Sequence, residues 1–496
     1  MTEQAAPPAP SRDRAANKRV PSKLVDSNSM YVSEAKIYPR EIDGRFQRLR
    51  SIAAWVLMGL FYLTPWVNLF GEQALLFDLP KRQFHVLGLN FWPQDFIFLA
   101  GILVVLAISL FFFTALAGRL WCGYACPQTV WTEVFLALER ITEGNRAQRI
   151  KLDQAPWSFN KLRRKASKQF LWITLAAWTG MTFVGFFSPI RTLASDLLHF
   201  RAGGWELFWI GFYGLATYGN AGYLREQVCK YMCPYARFQS AMFDHDTLVI
   251  SYDAQRGEPR GPGKKRINEG VKLGDCVDCT LCVQVCPTGI DIRDGLQIDC
   301  IACGACIDAC NQVMAKVGSP LGLIRYSTEN SMAGRPTRVV RARTIIYGVL
   351  LLAIVSLLVL GLFARKPLLV DVLRDRNALY RVDSNGRIEN SYTLKITNKA
   401  ASERRFVIEL LAPTGISIRT QLAPLSVLVP ARSTGAYPVT VQRAPSSSDA
   451  AGRVSNTPSA THTAIRFQVR DSAAAETVRI EESMFFAPEE LLNATR

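Results

Sequence analysis

No cysteine follows Cys310 in this chain of 496 residues; all 12 lie between Cys122 and Cys310. A secreted disulfide scaffold would spread its bridges through a small fold, so that class is excluded. Thiols confined to the middle of the chain favour a reducing compartment for that part. Histidine is scarce: only His85, His199, His245 and His462 are present. No two of them stand where facing helices could share a haem iron, which argues against a b-type haem. The first 50 residues have no early apolar run and are polar, Pro/Ala-rich and basic, so no secretory signal is read there. Its first 30 or so residues are expected to be disordered. The chain is also too long for one compact domain.

What the chain does have is two cysteine runs in tandem. The first is Cys276, Cys279, Cys282 and Cys286, followed by Pro287; the second is Cys300, Cys303, Cys306 and Cys310, followed by Asn311. Each reads C-x2-C-x2-C-x3-C, the spacing of bacterial ferredoxins that hold two clusters. Three closely spaced thiolates wrap one cube, and the fourth is carried on to the other. On that rule Cys276, Cys279, Cys282 and Cys310 bind one [4Fe-4S] cluster, and Cys300, Cys303, Cys306 and Cys286 bind the second. Structural zinc is the blander alternative, but it usually takes two separated C-x2-C pairs, which fits tandem runs of four poorly. Disulfides are the other.

Hydropathy marks five candidate membrane spans, at about 51–70, 96–116, 170–189, 205–224 and 344–363, each near the ~20 apolar residues that cross a bilayer. Trp55, Trp66, Trp92, Trp172, Trp178, Trp205 and Trp209 lie in or near their ends, as an aromatic belt would place many of them. Residues 1–50 carry ten Lys and Arg, the 71–95 loop only Lys81 and Arg82, residues 117–169 again ten, and the 190–204 loop only Arg191 and Arg201. By the positive-inside rule the N-terminus, the 117–169 loop and residues 225–343 face the cytoplasm, and the tail faces outward. The net charge of +17 is thereby explained by topology, and nucleic-acid binding need not be invoked.

A second cysteine pattern recurs where spans two and four reach the cytoplasmic side. Cys122-Gly-Tyr124-Ala-Cys126-Pro127 and Cys229-Lys-Tyr231-Met-Cys233-Pro234 are both C-x-Y-x-C-P, a constant 107 residues apart. Thiols four apart on a helix share a face. The residue before proline is pushed out of helical geometry, and proline suits the first turn of the next helix. Spans one and two pair with three and four as an internal repeat, which would gather Cys122, Cys126, Cys229 and Cys233. Such thiols could hold a soft metal (Cu(I), zinc or iron–sulfur), cycle as disulfides, or be inert core cysteines.

Beyond residue 363 the pattern changes. Residues 391–398, 404–411, 416–421, 437–443 and 464–471 alternate apolar and polar side chains between turn-rich stretches, as in an immunoglobulin-like β-sandwich. Residues 446–463 read as a long polar loop. No catalytic constellation is visible there, so docking or a stabilising cap is the expected role. The fold class is therefore multidomain. A disordered, basic, cytoplasmic segment 1–50 precedes a four-helix membrane core over 51–250 that carries both C-x-Y-x-C-P motifs. A cytoplasmic two-cluster ferredoxin-like domain follows over 260–320, then a fifth span at 344–363 and an external immunoglobulin-like domain over 370–496.

This combination resembles the CcoG/FixG family (also RdxA or RdxB), accessory proteins of cbb3-type cytochrome c oxidase. The WCGYACPQTVW and CKYMCPYARFQ segments discriminate most, and the likeness runs from about Tyr38 to the end. The resemblance implies a bacterial inner-membrane protein that reduces Cu(II) to Cu(I), with copper held at Cys122, Cys126, Cys229 and Cys233. It further implies a copper-exporting ATPase and oxidase assembly factors as partners, and leaves the electron donor open. Asp275, Asp278, Asp299 and Asp308 would add negative charge around the cubes and lower their potential. Two other classes compete. One is a quinol-oxidising conduit like the membrane ferredoxins of periplasmic nitrate reduction, which generally lack the fifth span and β tail. The other is a non-enzymatic scaffold that docks oxidase subunits.

Overall fold

The computed structural model describes residues 36–262, 273–365, 368–376, 378–383, 387–400, 402–411, 416–419, 426–443, 460–473 and 478–488. The expected disorder of the first 30 residues, and most of the loop expected at 446–463, lie outside them. Residues 460–463 do not belong to that loop; they begin the strand Ala460–Asp471. The chain divides into two compact units. One comprises residues 1–49, 137–168 and 250–326; the other comprises 50–136, 169–249 and 327–496.

The first unit is assembled from three separated stretches, so the ferredoxin-like region is not the self-contained 260–320 segment the cysteine spacing suggests. Its core joins Ile250, Tyr252, Ile292, Ile307, Met314, Leu323 and Ile324 with cysteines of both runs. Residues 36–50 are structured rather than disordered. The Arg40 amide donates to the Gln284 carbonyl at 2.8 Å. The Gln47 amide at the start of the helix Arg45–Leu63 donates to the Asp308 carboxylate at 2.9 Å. The stretch 137–168 contributes buried charge in opposed pairs: Lys165 and Lys168 each lie 2.9 Å from Glu143, and Arg149 lies 3.4 Å from Glu139. Buried ions persist only when paired in this way.

Among the described residues two helices are long and apolar enough to cross a membrane, Pro93–Ala117 and Ala342–Phe363, both in the second unit. The other three expected spans do not reach that mark, for physical reasons. Arg45–Leu63 carries Arg45, Arg48 and Arg50 in its first two turns. Phe159–Val184 spends its first ten residues on five cations, which confines its apolar part to the C-terminal portion of the helix. The fourth is α-helical only over Gly204–Thr217 and continues as a π-helix over Tyr218–Leu224. Trp172 is no belt residue: it is 2% exposed and its indole N–H donates to the Phe135 carbonyl at 3.1 Å. The 71–95 loop holds a small antiparallel sheet of Leu75–Asp78, Gln83–Val86 and Leu89–Phe91 that the sequence did not announce.

The tail is a sandwich of two antiparallel sheets. One runs Ile416–Arg419, Ser433–Arg443, Ile388–Asn398, Leu368–Arg374, with Arg381–Val382 paired to the start of Ile388–Asn398; the other runs Ser426–Val429, Arg404–Leu411, Ala460–Asp471, Val478–Pro488. Strand alternation supplies the core: Tyr392, Leu394 and Ile396 from the first sheet meet Phe406, Ile408, Phe467 and Phe485 from the second. Where polar groups enter this core they are satisfied across it, as when the Tyr392 hydroxyl donates to the Met484 carbonyl at 2.8 Å.

Candidate metal centres

Two cavities open in the first unit. Cys276, Cys279, Cys282 and Cys310 line one; Cys286, Cys300, Cys303 and Cys306 line the other, with Cys282 between them. The first cavity thus takes three thiols from the first run and Cys310 from the second; the second takes three from the second run and Cys286, with the shared Cys282, from the first. The helix Ala305–Val317 makes the exchange, carrying Cys306 at its start and Cys310 a turn later. The loops repeat residue for residue at an offset of 24. Asp278 (φ +52°) matches Ala302 (φ +53°), and Thr280 (φ +58°) matches Gly304 (φ +77°). Alternating left-handed residues turn successive amide N–H groups to one side, a concave arrangement that receives anionic groups and recurs at iron–sulfur sites. For Asp, Thr and Ala this conformation costs about 1–2 kcal/mol each, so the surrounding fold enforces it.

The residues fit a cube rather than a single ion. Among the described residues no three His, Cys, Asp or Glu side chains stand close enough to share one metal ion, whereas four irons in a cube hold their thiolates further apart. The remaining lining is apolar, including Val313, Met314, Leu323 and Ile324 in the first cavity and Ile250, Ile290 and Ile301 in the second. Burial pushes the Cys282 thiol up to about 12 and the Cys310 thiol up to about 11, and lifts Cys306 well above its usual value. Left to themselves these groups stay protonated at neutral pH; a bound cation must compensate for thiolate formation.

The acidic residues expected to lower the cluster potential are mostly spoken for. Asp275 is paired with Arg256 and Asp278 with Arg293, each at 2.6 Å, and Asp308 is buried against the Gln47 amide. Counter-charges within the ion pairs cancel most of the field assigned to Asp275 and Asp278.

The second unit brings Cys122, Cys126, Cys229 and Cys233 within electrostatic reach of one another. Burial pushes Cys122 up to about 12, with Cys126, Cys229 and Cys233 adding to the shift and Arg119 opposing it; Cys229 rises to about 11. The 107-residue repeat is legible in the backbone. Gly118 (φ +54°, ψ −120°) matches Arg225 (φ +39°, ψ −109°). The Cys126 amide donates to the Trp121 carbonyl at 2.9 Å as the Cys233 amide does to Val228 at 2.8 Å. Both are wide i→i−5 closures, so each motif leaves regular α-helical geometry at its second cysteine. Cys126 and Cys233 fall at the breaks, and Pro127 and Pro234 open Pro127–Glu143 and Pro234–Ser240.

Each helix after a motif reaches the other motif. The Gln128 amide donates to the carbonyls of Asn220 and Arg225 at 2.8 and 3.1 Å. In the opposite direction Arg119 donates to the Ala236 carbonyl, and Cys122 donates its S–H to Gln239 Oε1 at 3.2 Å. Gln239 escaped the sequence reading because its counterpart 107 residues earlier is Thr132, so the repeat carries no signal for it. The histidines have partners away from both thiol sets: His85 with Asn90 and Glu72, His199 with the Ser195 carbonyl, His245 with Glu329.

Comparison with known proteins agrees with this geometry. A family profile described as "4Fe-4S dicluster domain" matches residues 224–329, one described as "4Fe-4S binding domain" matches 98–142, and one described as "IG-like fold at C-terminal of FixG" matches 358–488. The nitrogen fixation protein FixG of Rhizobium meliloti is 40% identical, over 76% of this chain and 79% of its own length. Proteins RdxB and RdxA of Cereibacter sphaeroides are 37% and 39% identical, over 91% and 82% of this chain and 96% and 89% of theirs. The cysteine-lined cavities and these matches together make this chain an iron–sulfur electron-transfer protein that belongs to the FixG/RdxA/RdxB family.

Proposed function

We propose that the protein is a membrane-bound one-electron reductase that converts Cu(II) to Cu(I) for assembly of a cbb3-type cytochrome c oxidase. The observation that carries this reading is that four soft thiols, Cys122, Cys126, Cys229 and Cys233, lie within electrostatic reach of one another beside the buried cation Arg119. No three of these described residues stand close enough to share one ion, so they suit a two-coordinate cuprous ion. Thiolate sulfur prefers the cuprous ion, so a copper ion held there is favoured in its reduced state. Arg119 offsets part of the sulfur charge.

Cys276, Cys279, Cys282 and Cys310 would hold one [4Fe-4S] cluster, and Cys300, Cys303, Cys306 and Cys286 the other. When bound, such clusters supply single electrons. Each Cu(II) takes up one electron and leaves as Cu(I); an external donor restores that electron. In this reading the chain crosses the bacterial inner membrane five times. The cluster domain faces the cytoplasm and the β-sandwich the periplasm, and Cu(I) passes to a copper-exporting ATPase.

The test uses the full-length protein purified anaerobically. It should contain about eight iron atoms and as many labile sulfides, and should reduce added Cu(II). Cys122→Ser and Cys229→Ser should each abolish reduction while leaving the cluster EPR signals intact. Normal reduction rates in both variants would remove copper from these thiols. Prompt cluster reduction by a quinol, with copper without effect, would favour the conduit instead. Iron well above eight atoms, lost in the Cys122 variant, would assign the membrane-side thiols to iron–sulfur.

A further inference from the structure

The helix that follows the second motif delivers one side chain to the first. Gln239 is fully buried, and its amide closes a ring of polar groups. Cys122 donates to its Oε1 at 3.2 Å; its Nε2 donates to the Thr114 hydroxyl at 3.3 Å and to the Tyr235 hydroxyl at 2.5 Å. The two hydroxyls stand 3.1 Å apart.

Every member of this ring but one can reverse its role. A hydroxyl donates or accepts, and an amide offers a donor on one side and an acceptor on the other. The exception is the sulfur: once a metal ion has replaced its proton it can only accept. An amide locked with Oε1 towards Cys122 would then set two acceptors against each other in a buried site, which is costly. Turned over, the same amide presents Nε2 to the sulfur and Oε1 to the Tyr235 hydroxyl. Tyr235 and Thr114 rotate to donate towards Oε1, and one Nε2–H gives up its hydroxyl partner in place of two opposed acceptors.

We propose that Gln239 is a positioning residue for the membrane-side thiol site: it accepts from Cys122 at rest and donates to the Cys122 sulfur once that sulfur carries a metal ion. The donated hydrogen bond fixes the direction of the sulfur lone pairs and stabilises the anionic ligand. Arg119, buried and tied to the Ala236 carbonyl, holds its charge beside the same sulfurs. The two contacts tie the first motif to the helix after the second, so the site's geometry depends on both halves of the repeat. This inference rests on the reading that these thiols take copper.

The sign of one measurement separates the two halves of the amide's role. If Gln239 only accepted from the thiol, removing it would destabilise the metal-free state and tighten metal binding. If it donates to the metal-bound sulfur, removing it weakens binding. The experiment titrates Cu(I) into the full-length, cluster-loaded protein against the chelator bicinchoninate, comparing wild type with Gln239→Met, which keeps the volume and loses both hydrogen-bonding groups.

Affinity should fall about 10-fold, the size of a lost hydrogen bond to a charged group. With Co(II) as the probe, the sulfur-to-metal charge-transfer band should shift in the variant. Unchanged or tighter Cu(I) binding, or an unmoved band, overturns the proposal. Cluster EPR reports folding; if Gln239→Met loses those signals, Gln239→Leu is judged by the same two readouts. Wild-type protein that binds no Cu(I) defeats the copper reading and this inference together. Wild-type binding with unaltered variants defeats only the role of Gln239.

Discussion

The two thiol sets solve different problems with the same device, a duplicated loop. In the cluster region the copies stand 24 residues apart, and left-handed residues bend the backbone around two ready-made cavities. In the C-x-Y-x-C-P motifs the copies stand 107 residues apart and close through i→i−5 turns, while the Cys122 thiol donates to Gln239 and the Thr129 hydroxyl donates to the Cys122 backbone carbonyl. The first arrangement invests backbone strain in a permanent guest. The second leaves the Cys122 sulfur on a side-chain contact, which suits the passing copper ion proposed for it.

The strongest way to break this comparison is to remove a permanent ligand. Cys282→Ser takes a thiol from the partition between the cavities, and iron and sulfide per chain should fall by at least half on elemental analysis, with a lower unfolding temperature. Full iron retention would mean that Cys282 does not hold a cluster. The same treatment of the adjustable site should behave oppositely: Cys126→Ser should leave iron content and unfolding temperature close to wild type while Cu(I) stoichiometry drops. Loss of iron there would erase the distinction between the two sites.

Backbone substitutions sharpen it further. Gly304 sits at φ +77° with the Phe46 side chain 2.8 Å from where a Cβ would stand. Gly304→Ala should therefore cost about 1–3 kcal/mol, read as a drop in unfolding temperature of the loaded protein. At the equivalent position of the first loop, Thr280→Gly removes a left-handed β-branched residue and should gain up to about 1 kcal/mol. Equal responses would mean that the loops are not equivalent.

The smallest effect is electrostatic. Burial opposes ionisation of Asp153, but hydrogen bonds from Lys165, Tyr38 and Lys36 hold its carboxyl well below the usual carboxylate range. Because the folded value is depressed, the stability it contributes is complete above the unfolded value and is lost as pH falls towards the folded one. Wild type should thus lose stability on acidification more steeply than Asp153→Asn, as chemical denaturation at several pH values would show.

Much of this was readable in advance because the signals are local. Cysteine spacing is set within a single loop, and Pro127 and Pro234 mark their breaks by sterics alone. Strand alternation located Ile388–Asn398, Arg404–Leu411 and Ile416–Arg419 to within a few residues. Other features were not readable. Val478–Pro488 is a strand whose outward positions include Ile480 and Met484, blurring the alternation. The helix Phe159–Val184 starts eleven residues before its apolar part, because lysines and arginines continue a helix without hydropathy to announce them.

The sequence by itself determined the chemistry: which atoms are soft, how many there are, and in what short-range order, since covalent spacing limits what neighbouring thiols can share. Only the tertiary structure decided which distant groups answer them, such as Gln239 at Cys122, Asp308 at the Gln47 amide, and Arg256 and Arg293 at the acids near the clusters. Those contacts join residues up to 261 positions apart. A hydrogen bond or ion pair depends on separation in space, and no local pattern in the chain records it.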